Sequence, residues 1–414
     1  MRAAVLGCGG REHALQWALN RDPDVEIVFA LPGNGGTDNR VAIDPGDSDA
    51  VRKACDEKAI DLLVVGPEAP LSTGIVDAFR ERRTRVVGPT QSAARLESSK
   101  IWAKAFMTRQ RIPTAEYTRV GSRTDLASFA ARHRGSVVLK ADGLAGGKGV
   151  SVCRSSEDID REWLRITALR PPEERYVAEE RLEGWELSVH VLTDGSAWCL
   201  LPTSQDHKQL LDGDRGPNTG GMGAYSPVAA CDSALMDRIV REIVEPTIVG
   251  LGEEGISYRG FLYFGLMITD SGPKVLEYNV RLGDPETQVL VPAILSGLSA
   301  ALVASVESNL AADALEFGSG SRAGVVLASA GYPTDPKTGK AIRGLGTAAE
   351  TALVFHAGTE TQGAEVRTSG GRVLAVVGRG EHLEEALERA YTGCRQVSFE
   401  GMHFRTDIGR RESR

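Results

Sequence analysis

Over residues 1 to about 100, short apolar runs rich in β-branched residues alternate with stretches whose apolar positions recur every three or four residues. Ala3–Leu6, Val25–Ala30, Leu62–Val65 and Val86–Val87 are too short for helices and predict strands. Arg11–Asn20, a stretch from Asp49, and Leu71–Arg83 carry helical spacing. That alternation predicts a parallel sheet covered by helices, hence an α/β fold. The rhythm then changes. Ser98–Arg111 is a further helical pattern, halted before Pro113. From 114 to about 190 a smaller unit holds Ser136–Leu139 and Val150–Val152 around a glycine-rich turn, then Tyr176–Val189 as strand, turn, strand. Phe261–Ile268 and Lys274–Val280 predict strands joined by the turn chemistry of Thr269-Asp270-Ser271-Gly272-Pro273. From about 320, Ala323–Ala330, Val373–Val377 and the amphipathic helix Glu381–Tyr391 predict a small α/β unit without an obvious catalytic cluster.

Composition narrows the class. A chain of 414 residues has room for several such units. Its formal net charge of −8 argues against a nucleic-acid partner, where a basic face is expected. The six cysteines form no Cys-x-x-Cys pair and predict reduced thiols in a cytosolic protein. Met1–Gly7 is too short an apolar run for a signal peptide, and no stretch approaches the ~18 apolar residues of a membrane span. A soluble, cytoplasmic protein with no membrane partner is expected.

The candidate chemistry centres on Lys140-Ala141-Asp142-Gly143-Leu144-Ala145-Gly146-Gly147-Lys148-Gly149. Its glycines bring backbone N–H groups close to a ligand and Lys148 adds a positive charge, which suits a polyphosphate, although a plain glycine-rich hairpin has the same composition. It is not a Walker A loop, because the Gly-x-x-x-x-Gly-Lys-Ser/Thr spacing is absent. The first turn, Gly7-Cys8-Gly9-Gly10-Arg11-Glu12-His13, carries Glu12 where a dinucleotide fingerprint needs its third glycine, which disfavours a nicotinamide cofactor. A helix N-terminus there still offers N–H donors to one phosphate, with Arg11 beside it. Two more glycine turns, at Pro32–Thr37 and Gly66–Pro70, sit at predicted strand ends. The long polar stretch from Thr203 to Pro227 has the density of hydrogen-bonding groups of a lid or a small-molecule pocket. Glu277 and Asn279 are two apart on one strand and so share a face, which suits a hard cation; an exposed polar face is the alternative. Arg281 continues that face. With a negative net charge, the cations facing a polyphosphate must be local or supplied by a metal.

Taken in order, the Gly-Lys loop, the Glu-x-x-Leu-x-Gly-x-Glu segment from Glu179 to Glu186 and the Glu277-x-Asn279 strand resemble an ATP-grasp fold. Over nearly its whole length the chain resembles the glycinamide ribonucleotide synthetase (phosphoribosylamine-glycine ligase) family of purine biosynthesis. The resemblance lies in Gly9-Gly10-Arg11-Glu12-His13-Ala14, Pro32-Gly33-Asn34, Val65–Leu71, Lys140–Ala145, Ser204-Gln205-Asp206-His207-Lys208, Gly216–Gly223 and Arg281-Leu282-Gly283-Asp284-Pro285-Glu286-Thr287. It implies an N-terminal substrate-binding (pre-ATP-grasp) domain over 1–100, an ATP-grasp domain over 101–315 with a mobile lid over about 114–190, and a C-terminal domain over 320–414. Two positions depart from the pattern. Cys8 stands where asparagine or serine is expected, and Gly265 where related enzymes carry a third acidic metal ligand.

The implied reaction joins glycine to 5-phosphoribosylamine with ATP as co-substrate and Mg²⁺ or Mn²⁺, through glycyl phosphate, in a protein expected to be a monomer. Residue by residue, the resemblance implies Lys100, Lys140 and Lys148 on the ATP phosphates, Glu179 and the Leu182 backbone at the adenine, and Glu186 at the ribose. It implies Glu277 and Asn279 on the metal, and Arg281 on the anionic acceptor or acyl phosphate. Gly9, Gly10, Arg11, Gly33, Asn34, Asp206, His207 and Lys208 are implied to bind phosphoribosylamine. Another ATP-grasp carboxylate-amine ligase would share every nucleotide residue and differ in the loops at 204–227 and 281–287. A nucleotide-binding regulatory protein would need a decayed site, yet Glu277, Asn279, Lys140, Lys148 and Arg281 are all present.

Overall fold

The computed structural model describes residues 1–144, 149–169 and 176–410. The N-terminal strands form a four-stranded parallel sheet in the order Ile27–Pro32, Arg2–Gly7, Leu62–Val65, Arg85–Val87. Period two divides its residues: Ala3 and Val5 pack with Leu15 and Leu19 of helix Gly10–Leu19, whereas Ala4 and Leu6 pack with Val51, Ala54 and Cys55 of helix Ser48–Glu57. The expected helix over Leu71–Arg83 is not continuous. It breaks into helix Glu68–Ser72 and the short 3-10 turn Asp77–Phe79, because Gly74 takes φ +89° between them.

Two antiparallel sheets follow. One runs Trp198–Leu200, Trp185–Thr193, Gly260–Thr269, Gly272–Asn279, and the other Tyr117–Val120, Tyr176–Glu180, Val137–Ala141, Val150–Cys153. The second is covered by helices Arg123–Arg132 and Ser156–Leu169. The expected strand, turn, strand over Tyr176–Val189 is present, with its two strands in different sheets and Arg181–Gly184 carrying the chain across. Gly184 makes the passage possible. A Cβ there would lie 2.0 Å from the Ile268 carbonyl oxygen, and its φ is +152°.

On strand Trp185–Thr193, Leu187, Val189 and Val191 enter a core shared with the N-terminal sheet, which leaves Glu186, Ser188 and His190 on the opposite face. A bulge in strand Gly272–Asn279 pairs Gly265 with Glu277 and Leu266 with Val275. The extra residue, Leu276, lets Val275 and Tyr278 both enter the core while Glu277 and Asn279 keep one common face, as expected.

The stretch from Thr203 to Pro227 is not a long loop either. It supplies strands Gln205–Asp206 and Gly223–Ser226 to a five-stranded sheet completed by Ser321–Ala328, Arg372–Gly380 and Leu353–His356. The C-terminal sheet is thus built partly from mid-chain sequence. Among the described residues no helix is long and apolar enough to cross a membrane.

Glu12 explains the first turn. Its carboxylate accepts from the Gly9 N–H (2.6 Å) and from Arg11 Nε (2.6 Å), so it caps its own helix from within. It is buried, with Gly7 and Gly66 against it. A Cβ on Gly66 would sit 2.0 Å from Glu12 Oε1. Gly66→Ala should therefore cost about 1–3 kcal/mol by overpacking, read as a lower urea midpoint at unchanged slope.

Candidate active site

A cleft of about 620 Å³ lies where these sheets meet. Lys140, on strand Val137–Ala141, and Lys104, on helix Lys100–Arg109, both reach Glu179, at 3.0 and 2.9 Å. Lys140 also donates to the Leu276 carbonyl (3.0 Å), the bulge carbonyl of the neighbouring sheet, and Lys104 to Thr114 Oγ1 (2.8 Å). Burial pulls Lys104 down from 10.5 to about 8, with Glu179 opposing. Lys100 donates to the Gly143 carbonyl (2.9 Å), and burial lowers its pKa while Glu277 works to raise it. Asp142 accepts from Ile101 N–H (3.1 Å) and Ser99 Oγ (3.2 Å), which fastens the strand end to the start of this helix.

Lys104 is the residue sequence reasoning missed. It stands four positions after Lys100, on the same helix face, and that spacing was the available signal. Lys148, with Gly146 and Gly147, lies outside the described residues.

Lys208 lies between Glu186 and Glu277, 3.6 Å from each. Burial works to lower its pKa, but Glu186, Asp206 and Glu277 hold it well above the usual range. Asp206 beside it is buried, and burial with repulsion from Glu286, Glu186 and Glu277 pushes it up to about 8 against the pull of Lys208. Glu277 and Asn279 both line the cleft. With its amide turned to satisfy its hydrogen bonds, Asn279 Nδ2 donates to Glu97 Oε1 (3.0 Å) and the Tyr278 carbonyl (3.1 Å), directing Oδ1 away from both. A carboxylate and an amide oxygen suit a hard cation that takes its remaining ligands from phosphate and water. Among the described residues no group of three or more His, Cys, Asp or Glu could hold a metal by itself. At Gly265 a Cβ would already come within 3.1 Å of Glu277 Cγ.

Arg281 is held at both ends, with Nε on Glu68 (3.0 Å) and Nη2 on Glu97 (2.8 Å). Burial works to raise Glu68, but Arg281, with Arg11 beyond it, brings the carboxyl down to about 2. Burial dominates at Glu97 and pushes it up to about 7 despite Arg281. Arg11 joins the cleft wall and donates to the Leu282 carbonyl (3.1 Å).

The remaining expected substrate residues are placed differently. Asn34 is buried, and its Nδ2 donates to the carbonyls of Cys8 (3.0 Å), Gly9 (3.3 Å) and His356 (2.7 Å). Its side chain braces the first turn against the C-terminal unit. Gly33, at φ +74°, turns the chain so that Asn34 can do this. The Gly9 N–H is already taken by Glu12, and Gly10 packs on Gln288, whose Nε2 would lie 2.6 Å from a Cβ. His207 is fully buried and accepts from the Gly409 N–H (3.2 Å), so it is a scaffold of the C-terminal sheet outside the cleft lining.

Residues 1–97, 98–287 and 322–411 match, in turn, the N domain, the ATP-grasp (A) domain and the C domain of phosphoribosylglycinamide synthetase. The chain is 45% identical over 422 residues to the phosphoribosylamine--glycine ligase of Ralstonia nicotianae, covering 100% of both chains. The chain belongs to the phosphoribosylglycinamide synthetase family. A solved family structure, the phosphoribosylamine--glycine ligase of Thermotoga maritima, superposes with a TM-score of 0.86 at 38% identity, over 99% of this chain and 100% of that one. The fold extends further: the biotin carboxylase domain of Hydrogenobacter thermophilus 2-oxoglutarate carboxylase, solved with MgADP, ADP and bicarbonate, gives a TM-score of 0.72 at 14% identity over 97% of this chain and 91% of that one. The synthetase fold here is thus an ATP-grasp fold flanked by a parallel-sheet domain and a smaller α/β domain.

Because the folded pKa of Glu68 lies below its ordinary 4.5, at about 2, its pairing stabilises the protein fully above pH 4.5 and is lost as pH falls toward 2. Glu68→Gln should flatten this part of the acid limb in urea unfolding measured at stepped pH. An unchanged acid limb would refute the pairing.

Proposed function

We propose that this chain joins glycine to 5-phosphoribosylamine, giving glycinamide ribonucleotide, ADP and phosphate. Family membership over the full length carries this reading, and the cleft supplies groups of the right kind. The glycine carboxylate attacks the γ-phosphate of ATP to form glycyl phosphate; the amine of phosphoribosylamine then attacks the acyl carbon and phosphate leaves. Carboxylate and polyphosphate repel. At ~4 Å two unit charges cost roughly 4 kcal/mol at an effective dielectric of 20. Lys100, Lys104, Lys140 and Lys148 offset this and orient the phosphates.

Glu277 and Asn279 are the residues to hold Mg²⁺ or Mn²⁺, which when bound neutralises phosphate charge. Glu179 acts by holding Lys104 and Lys140 in place, while the backbone at Leu182 meets the adenine and Glu186 the ribose. Arg281 faces the acyl phosphate or the acceptor. Asp206, Lys208 and Arg11, which line the cleft, form the acceptor side. The reading carries an N-terminal substrate domain over 1–100, an ATP-grasp domain over 101–315 whose lid spans about 114–190, and a C-terminal domain over 320–414.

ADP release, followed with one substrate omitted at a time and phosphoribosylamine generated in situ, tests the reading. ADP should appear only when glycine, phosphoribosylamine and Mg²⁺ are all present; release with another acid or amine instead would refute the substrate assignment. Glu277→Gln should lower kcat by at least about a hundredfold with little change in melting temperature, and normal turnover at ordinary Mg²⁺ would remove the metal assignment. Lys148→Ala should raise KM for ATP and leave KM for glycine nearly unchanged in initial-rate kinetics.

A further inference from the structure

The C-terminal unit sends one side chain into the cleft. Arg372 is the first residue of strand Arg372–Gly380, and its guanidinium is part of the cleft wall. Nη1 donates to the carbonyls of Gly220 (2.5 Å) and Asp284 (2.6 Å), and Nη2 to Asp284 Oδ2 (2.9 Å). Gly220 lies in Gly216–Gly223 and Asp284 in Arg281–Thr287, two separate polar segments of the mid-chain. One planar, rigid fork therefore sets the distance between them.

A second contact converges on the same peptide. The Gly220 N–H donates to Tyr332 Oη (3.0 Å), so both polar groups of Gly220 are held by residues of the C-terminal unit. The approach is close, since a Cβ on Gly220 would meet Arg372 Cζ at 2.9 Å. Asp284 extends the linkage in the other direction. Its Oδ1 accepts from Gln288 Nε2 (2.7 Å), and its Oδ2 lies 3.5 Å from where a Cβ on Gly9 would stand. Residues of all three domains thus meet at one carboxylate.

We propose that Arg372, seconded by Tyr332, is a positioning residue for the amine acceptor: it holds Gly216–Gly223 and Arg281–Thr287 at the spacing the acceptor pocket requires. The inference rests on the ligase reading above. It assigns the C-terminal unit a part in specificity for phosphoribosylamine, remote from the lysines that face the nucleotide. Displacing a substrate-holding segment by about 1 Å can cost on the order of a hundredfold in rate.

Arg372→Lys keeps the charge beside Asp284 but loses the planar fork that spans two carbonyls and a carboxylate. Tyr332→Phe removes only the hydroxyl at Gly220. In initial-rate kinetics, Arg372→Lys should lower kcat/KM for phosphoribosylamine by roughly ten- to a hundredfold, mainly through KM. Tyr332→Phe should act in the same direction by less, and the double variant should fall short of the product of the two effects, because both act through Gly220. KM for ATP, and Mg-nucleotide binding by calorimetry, should stay within about twofold of wild type.

An unchanged KM for phosphoribosylamine in Arg372→Lys overturns the proposal. So does an equal rise in KM for ATP, which marks general disruption. Failure of the ligase reading is distinguishable, since the wild-type enzyme would then release no ADP with glycine and phosphoribosylamine.

Discussion

Glu179, buried with Lys104 and Lys140 on it, sets the terms for the cleft. A polyphosphate needs cations, yet an isolated ammonium buried in protein is too costly to keep. Placing a carboxylate between two lysines from different elements keeps both charged groups inside and fixes their spacing. The same device recurs: Lys208 with Glu186 and Glu277, Arg281 with Glu68 and Glu97, Arg372 with Asp284. Local pairing of this kind accounts for a protein of net charge −8 that belongs to a nucleotide-using family. The cations are supplied by neighbours in the cleft and not by the surface as a whole.

These pairs depend on how the sheets meet. Glu179 and Lys140 lie on adjacent strands of one sheet, and Lys140 also donates to the bulge carbonyl of Leu276 in the next. The chain crosses between the sheets at Arg181–Gly184, and Gly184 is required there because the Ile268 carbonyl lies where any side chain would begin. Glycine has the same meaning at Gly66, where the space belongs to Glu12. Several residues that look like ligand donors in the sequence are spent on this framework. Asn34 braces the first turn and His207 is enclosed by the C-terminal sheet.

Much of the architecture was legible. The parallel sheet, the paired strands from Gly260 to Asn279 and the shared face of Glu277 and Asn279 all follow from period-two or helical spacing, which local sterics impose wherever the chain goes. What the residues left undetermined was non-local pairing. Tyr176–Val189 shows two strands joined by a short turn, and nothing in those residues says that they pair with different partners. Gln205–Asp206 and Gly223–Ser226 are too short and polar to register as strands until Ser321–Ala328 provides an edge.

By itself the sequence determined the class of most segments, the family, and which residue types were available for phosphate and metal chemistry. Periodicity, glycine placement and motif spacing are properties of neighbouring residues. The tertiary structure alone decided which charges are partners and which segments share a wall. It joined Lys104 to Glu179, turned His207 and Asn34 into scaffold, and brought Arg372 across to Gly220 and Asp284. The reason is physical: a buried charge takes its role from what lies within a few ångströms of it, and for these residues that neighbour is distant in the chain.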